Sequence, residues 1–517
     1  MQNAFRICLI ALVALLGAIG GAPLAYAHGF GQRYDLPVPL WLFITAAGAA
    51  VGVSFAAVGL FVRASREGYS YPRFNLLRFH PIRLLPHPYT LFVCRLVSVG
   101  LFLLILLTGF FGDENPSRNL STVMVWVIWW VGLAYVCALT GNLWALINPW
   151  KILFTWAESL HRRFGSGGEI SNKFPYPEWL GAWPAVILFL AFGWVEIVWG
   201  ESDTPSQLAF AAAFYSLITW AGMLLFGKEE WLRGGEAFSV VFDLLSRFAP
   251  TEVRITNPVI CASCPNRDAL HREGNCVNCY DGFGRAGAKE REWNLRPPAA
   301  GLWTAEAVHP SMVMLILAVL STVTFDGFTE TSLFNNMRSG LYNYLQWTGQ
   351  DALLYADTLM LLSFPLLFLG VYSLFCVFMT AVSGNVLSPG RMIRIFIFSL
   401  VPIAVAYHLA HYLSFLLVQG QFIIPLLSDP FGFGWNLLGT VGYRVQIGIV
   451  GARFVWYASV SAIVTGHIIA VYLAHITALG NLERRALALR SQYPMLILMV
   501  GYTMVGLWIL SQPIVEQ

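Results

Sequence analysis

Leu96-Val-Ser-Val-Gly-Leu-Phe-Leu-Leu-Ile-Leu-Leu-Thr-Gly-Phe-Phe111 runs sixteen residues without a charge or an amide side chain. About 20 mostly apolar residues in helical form cross the hydrocarbon of a bilayer. Extended back to Leu91 the stretch reaches that length, with Arg95 as its one charge. Inside a water-soluble fold such a segment would need a covering of other elements on every side. In lipid it needs none.

The rest of the chain repeats the pattern. Of 517 residues, 57% are hydrophobic and 11% charged, and the mean hydropathy is +0.64. Soluble domains carry roughly a quarter charged residues, so hydrocarbon is the solvent that fits. Apolar segments near 39–63, 91–111, 121–147, 182–200, 207–227, 311–328, 353–383, 392–420, 451–478 and 493–511 predict an all-α, polytopic transmembrane bundle of about ten spans. The lipid bilayer is thus the first partner. A basic tract interleaved with aromatics is absent from the sequence, which excludes a nucleic-acid partner. The 19 Trp and 20 Tyr suit two interfacial belts.

Met1–Ala27 reads as a signal peptide: Arg6 is a minimal positive region, Cys8–Ala22 is apolar, and Ala25-Tyr-Ala27 is a cleavage site. Cleavage makes His28 the mature N-terminus on the periplasmic side, in a bacterial inner membrane. An uncleaved first helix is the alternative. Lys and Arg then orient the spans. The loops assigned to the cytoplasm hold Arg63, Arg66, Arg73, Arg78 and Arg83, then Lys151, Arg162, Arg163 and Lys173. They continue with ten basic residues between Lys228 and His309, then Arg391, Arg394, Arg484, Arg485 and Arg490. The opposite loops hold Arg33, Arg118, Arg338, Arg444 and Arg453.

This divides the chain into a signal peptide (1–27), an N-terminal membrane region (28–227), a cytoplasmic loop (228–310) and a C-terminal membrane region (311–517). The N-terminal region carries a partial repeat. Gly112-Asp-Glu-Asn-Pro-Ser117 returns as Gly200-Glu-Ser-Asp-Thr-Pro-Ser206, and each is followed by a span and an amphipathic stretch, ending Leu160…Arg163-Phe164 and Leu244…Arg247-Phe248. Two parallel hairpins, each with an interfacial helix, would produce it.

Two constellations carry chemistry. Cys261-Ala-Ser-Cys264 and Cys276-Val-Asn-Cys279 form a four-cysteine knuckle, a spacing that completes a tetrahedral site. Zinc is the expected ion, before iron–sulfur, with a redox C-x-x-C pair as competitor. In a reduced cytoplasmic loop disulfides are not expected. Such a closed site pins the loop. Cys8, Cys94, Cys137 and Cys376 lie in apolar segments and read as packing.

The second constellation is His408, His411, His467 and His475, all in apolar helices. His408 and His411 share a face at i,i+3. His467 matches their depth near mid-membrane on the next antiparallel helix, and His475 lies about 12 Å further along the axis. Ionisable groups at that depth are costly and functional by default. Asp326 and Asp357, on the preceding spans, are candidate further ligands or general bases. The set suggests a divalent metal that acidifies water. Facing imidazoles could instead ligate haem b or copper in a membrane redox protein, and the repeat suggests a transporter or metal-handling assembly factor. Structural hydrogen bonding is the plain alternative. Glu196, between Trp194 and Trp199, reads as interfacial. An N-terminal copper site at His28 lacks a second histidine among the outer loops.

Ala27-His-Gly-Phe-Gly31, Asp35-Leu-Pro-Val-Pro39, Asn148-Pro-Trp150, Cys261–Cys279, Thr324–Gly327, Tyr407–Tyr412 and Gly466–His475 resemble the bacterial fenitrothion hydrolase family of membrane proteins along most of the chain. The resemblance implies hydrolysis of a lipophilic organophosphorus triester with a nitrophenol leaving group, and supplies no assigned catalytic residues. Together these readings give a membrane-embedded, metal-dependent hydrolase that takes a lipophilic small molecule, with or without a partner membrane subunit.

Overall fold

The computed structural model describes residues 36–62, 71–165, 170–262, 264, 276–303 and 307–512. The signal segment and His28 lie outside the described residues. Ten helices are long and apolar enough to cross a membrane: Leu40–Phe61, Pro88–Phe111, Leu120–Thr140, Glu178–Ile197, Pro205–Phe226, Pro310–Thr329, Ser332–Val382, Pro389–Ser428, Ala452–Asn481 and Arg485–Ser511. They are called the first to tenth spans below. The predicted multi-pass bundle is present.

The spans are not equivalent. In the sixth and eighth, 83% of the apolar window is buried inside the protein, against 11% in the second. A helix that is apolar all round can lie in lipid or at the centre of a bundle. Burial separates the two cases: the second span presents Phe92, Leu96, Leu103, Leu107 and Phe110 outward, while the eighth is enclosed. Small residues bring its neighbour close. A Cβ at Gly466 on the ninth span would overlap the Ala406 Cβ and lie 2.8 Å from the Pro402 carbonyl on the eighth, the close approach typical of packed membrane helices.

Two spans are interrupted. The seventh opens with the amphipathic helix Ser332–Leu345, breaks at Gly349 (φ +83°), and continues as Ala352–Val382. The third carries a π-helical stretch, Val123–Gly132. Such stretches are rare and concentrate at functional sites.

The loops at one end are tied by a four-stranded sheet that periodicity did not predict. Its order is 74–75, 291–295, 251–255, 276–277, all pairs antiparallel. It joins the first basic loop to the cysteine loop, as placing both on one side of the membrane requires. Beneath it Glu252 is fully buried, accepting from Arg73 Nε at 2.5 Å, Tyr71 Oη at 2.6 Å and Arg296 Nη1 at 3.0 Å. A carboxylate with two guanidiniums and a phenol satisfies its lone pairs, which makes that burial tolerable. The second basic loop joins through Lys151, which reaches Asp281 at 2.7 Å, and through Asn142 N, which donates to Tyr280 Oη at 3.0 Å.

The repeat diverges in its third element. Pro149–Phe164 is amphipathic, with a basic last turn and exposed Trp156, Leu160 and Phe164. Its counterpart Ala237–Ser246 is not interfacial: Phe238, Val241, Phe242 and Leu245 are buried, and Phe238 packs edge-on to Trp129. Glu236 caps this helix, accepting from Phe238 N and Ser239 N.

Candidate functional site

The sixth, eighth, fourth and third spans bring a polar cluster together at the end opposite the sheet. Asp326 comes from the last turn of the sixth span. His411 and Tyr412, adjacent on the eighth, reach it: His411 Nε2 and Tyr412 Oη each lie 2.8 Å from Asp326 Oδ2. Tyr412 Oη is also 3.5 Å from Glu196 Oε1, at the end of the fourth span. Gly327 makes room for this approach. A Cβ there would sit 3.2 Å from Tyr407 Oη and 3.5 Å from His411 Cε1. The Asp326 side chain keeps 18% of its surface exposed, against 6% for His411, so the pair sits at the edge of the interior. Glu330, one turn beyond Asp326, stands at its mouth. Desolvation and the Asp326 carboxylate raise its carboxyl, partly offset by His411.

Of the predicted site residues, Asp326 and His411 meet, Asp326 from the last turn of its helix and His411 from near the middle of the helix Val401–Gln419. The other four make no hydrogen bond to them, although His408 lies beside the cluster with its ring 4.9 Å from that of Tyr412. His408 packs against the third span, its ring 5.4 Å from Trp130 and 6.0 Å from Tyr135. His467 hydrogen bonds through Nδ1 to the Ile463 carbonyl at 2.8 Å and lies 6.0 Å from the Tyr502 ring on the tenth span. His475 pairs through Nδ1 with Gln492 at 3.1 Å. Asp357 is engaged by Arg338 in a bidentate ion pair at 2.6 and 2.7 Å.

The expected His/Asp metal site therefore does not fit. Among the described residues the one grouping of three or more potential ligand side chains is of cysteines. Asp326 and His411 supply two donors where a catalytic ion needs at least three from protein. The haem arrangement fares no better, since His408 and His467 turn to different neighbouring spans. A carboxylate holding both an imidazole and a phenol orients the ring, and such an arrangement can serve acid–base chemistry. Glu196, expected at the interface, is in the last turn of the fourth span and turns toward Tyr412.

The cysteine cluster is assembled as the spacing predicts. The second knuckle turns at Asn278 (φ 57°), whose N–H donates to the Val253 carbonyl at 2.8 Å. Asn tolerates that left-handed geometry. All four cysteines are buried, with Leu77, Ile255, Phe283 and Ala286 around them. Gly282 packs on the sulfurs: a Cβ there would lie 2.9 Å from Cys279 Sγ and 3.1 Å from Cys264 Sγ. One sulfur each from Cys264, Cys276 and Cys279 lies within 4.8 Å of the others, a grouping that can hold a metal ion. Cys261 with Cys276 and Cys264 with Cys279 are also at disulfide distance, against the expectation of separated, reduced thiols. These pairs cross between the knuckles, so neither C-x-x-C is a redox pair within itself.

No protein-family model matches the chain, and no curated protein and no solved structure is similar to it.

Proposed function

We propose that the protein is an intramembrane acid–base enzyme that hydrolyses a neutral, lipophilic ester. One observation carries the reading: Asp326 accepts hydrogen bonds from both His411 and Tyr412 at the solvent-reachable edge of a buried bundle. The Asp326–His411 pair takes a proton from water as its oxygen bonds to the electrophilic centre, and the bond to the leaving group breaks. The resemblance to the fenitrothion hydrolase family supplies the reaction class, an organophosphorus triester, and a nitrophenolate leaves with its electron pair without needing a proton. Substrate enters from the lipid, and the far end of the bundle is the periplasmic face of a bacterial inner membrane. No step is routed through a metal here, because the donors for one do not converge.

The four cysteines hold zinc in a structural role. Zinc holds its thiolates roughly 3.8 Å apart; Cys264 Sγ to Cys276 Sγ is 3.5 Å, whereas Cys261–Cys276 and Cys264–Cys279 lie at disulfide distance and must stand as separate thiolates to take the ion. The ion closes the cysteine loop onto the sheet. A second reading of the bundle, proton-linked transport, draws on Glu330 and Glu196, each near enough to Asp326 to feel its charge. Release of nitrophenolate by protein in lipid nanodiscs separates the two. Wild type should turn over a nitrophenyl phosphotriester, and His411→Gln should lose about 10²-fold or more, in line with the usual contribution of a positioned base. Substrate-driven proton movement in proteoliposomes without any nitrophenolate would replace hydrolysis by transport.

A further inference from the structure

Beside the Asp326–His411 pair lie two buried nitrogens without hydrogen bonds to protein. His408 Nε2 is one, on a residue 6% exposed; Trp130 Nε1 is the other, on a residue 2% exposed. Their rings are 5.4 Å apart at 78°. The His408 ring is also 4.9 Å from the ring of Tyr412, whose hydroxyl is bound to Asp326. The Trp130 indole N–H is directed toward Tyr412 and Glu196 without reaching hydrogen-bond geometry with either. Buried polar atoms are nearly always satisfied, by protein, water or ligand. Ten further buried side-chain atoms among the described residues share this state; His408 and Trp130 differ in that their rings are in contact and His408 also touches Tyr412 of the acid–base cluster, which makes them the candidates for a binding feature. Trp130 reaches this position from the π-helical stretch Val123–Gly132 of the third span, and π-helical segments mark functional sites.

The surroundings specify the ligand. Trp130, Tyr135 and Tyr412 wall the His408 ring with aromatic faces and edges. Phe192 extends the wall, 4.9 Å from Trp130. Aromatic walls favour an aryl group. The Asp326 carboxylate stands nearby and repels an anion. An indole N–H is a donor only, and an imidazole nitrogen can donate as well. A ligand that suits all three conditions is uncharged, carries an aryl group and offers one strong acceptor oxygen.

We propose that Trp130 and His408 form the substrate subsite of the acid–base centre, in which Trp130 Nε1–H and His408 Nε2–H donate to the acceptor oxygen of a neutral aryl ester, the phosphoryl oxygen in a triester. Charge grows on that oxygen as water adds, and donors aimed there stabilise it. This assignment rests on the acid–base reading above and can fail separately from it. His408 is thereby a ligand-binding residue and not a metal ligand.

Binding is the direct test, because it does not require turnover. The probe is 4-nitrophenyl diphenyl phosphate, its binding to protein in nanodiscs corrected for empty nanodiscs, with catalysis silenced by His411→Gln. Saturable binding is expected in that background. Adding His408→Leu or Trp130→Phe should weaken it ten-fold or more, while His408→Gln, which keeps an N–H donor, should stay within about three-fold. Equal affinity in all four proteins, or no saturable binding in any, overturns the subsite. Loss in His408→Leu and His408→Gln alike would reduce His408 to a packing residue and overturn its donor role. If the subsite variants bind normally while His411→Gln still abolishes turnover in otherwise native protein, the acid–base centre stands without the subsite.

Discussion

The two ends of this molecule solve the burial of polar groups in opposite ways. At the sheet-bearing end, Glu252 is saturated by Arg73, Tyr71 and Arg296, and the four cysteines satisfy one another or an ion. At the far end Asp326 is shared between His411 and Tyr412, while His408 and Trp130 keep unpaired nitrogens beside it. A saturated cluster has nothing left to offer a ligand and serves stability. An under-satisfied one costs stability and is retained where it binds or reacts. Lesions should therefore separate: damage to the far end removes chemistry and spares the fold, and damage to the sheet end does the reverse.

The largest effect on stability is expected at Glu252. Glu252→Gln leaves Arg73 and Arg296 without their counter-charge, and Arg296 is fully buried with it. Breaking such a pair from one side costs about 3–5 kcal/mol, to be read as a fall in thermal stability in nanodiscs with the turnover per folded molecule unchanged. A milder loss belongs to the cysteines. On the proposal of a metal at the cysteines, Cys261→Ser with Cys264→Ser should abolish the metal content of the protein, measured by elemental analysis, and lower stability. A selective loss of turnover in well-folded protein would erase the division of labour between the two ends.

The smallest effect is electrostatic. Burial alone would raise the Asp281 carboxyl, but Lys151 at 2.7 Å, together with a hydrogen bond from Glu229 and the charge of Arg285, holds it below the ordinary carboxylate value. A depressed carboxyl contributes stability that is complete above its unfolded value and is lost as pH falls through its folded value. Asp281 is 41% exposed, so the contribution is of order 0.5 kcal/mol. Asp281→Asn should flatten the acid limb of the stability curve below about pH 4, with no change at pH 7 beyond that small offset.

How much was legible follows from the range of each signal. The spans were readable because twenty apolar residues are a local property, and the basic loops because charge placement is local too. The knuckle was readable because both C-x-x-C pairs sit within nineteen residues, 261–279. The sheet was not, since its edge strand is only Phe74–Asn75, too short for any alternation to register. Within the far site, Asp326 and His411 were chosen from their membrane depth. The same criterion gathers His467, which bonds within its own helix; His475, placed nearer the cytoplasm, and Asp357, in the first turns of its span, also bond elsewhere. Depth along an axis is visible in sequence, but rotation about it is not: His408 and His467 share a depth and turn to different neighbours. Asp357 was lost to Arg338, which the loop assignment had counted only as a charge.

Asp326 and Asp357 lie at the same end of the bundle, and they differ in partner. The most direct measurement compares nitrophenolate release by Asp326→Asn and Asp357→Asn in the same nanodiscs, per folded molecule. The account predicts about a 10²-fold or greater loss for Asp326→Asn and wild-type turnover for Asp357→Asn, whose cost falls on stability. Equal losses in the two variants, or full activity in Asp326→Asn, would contradict it.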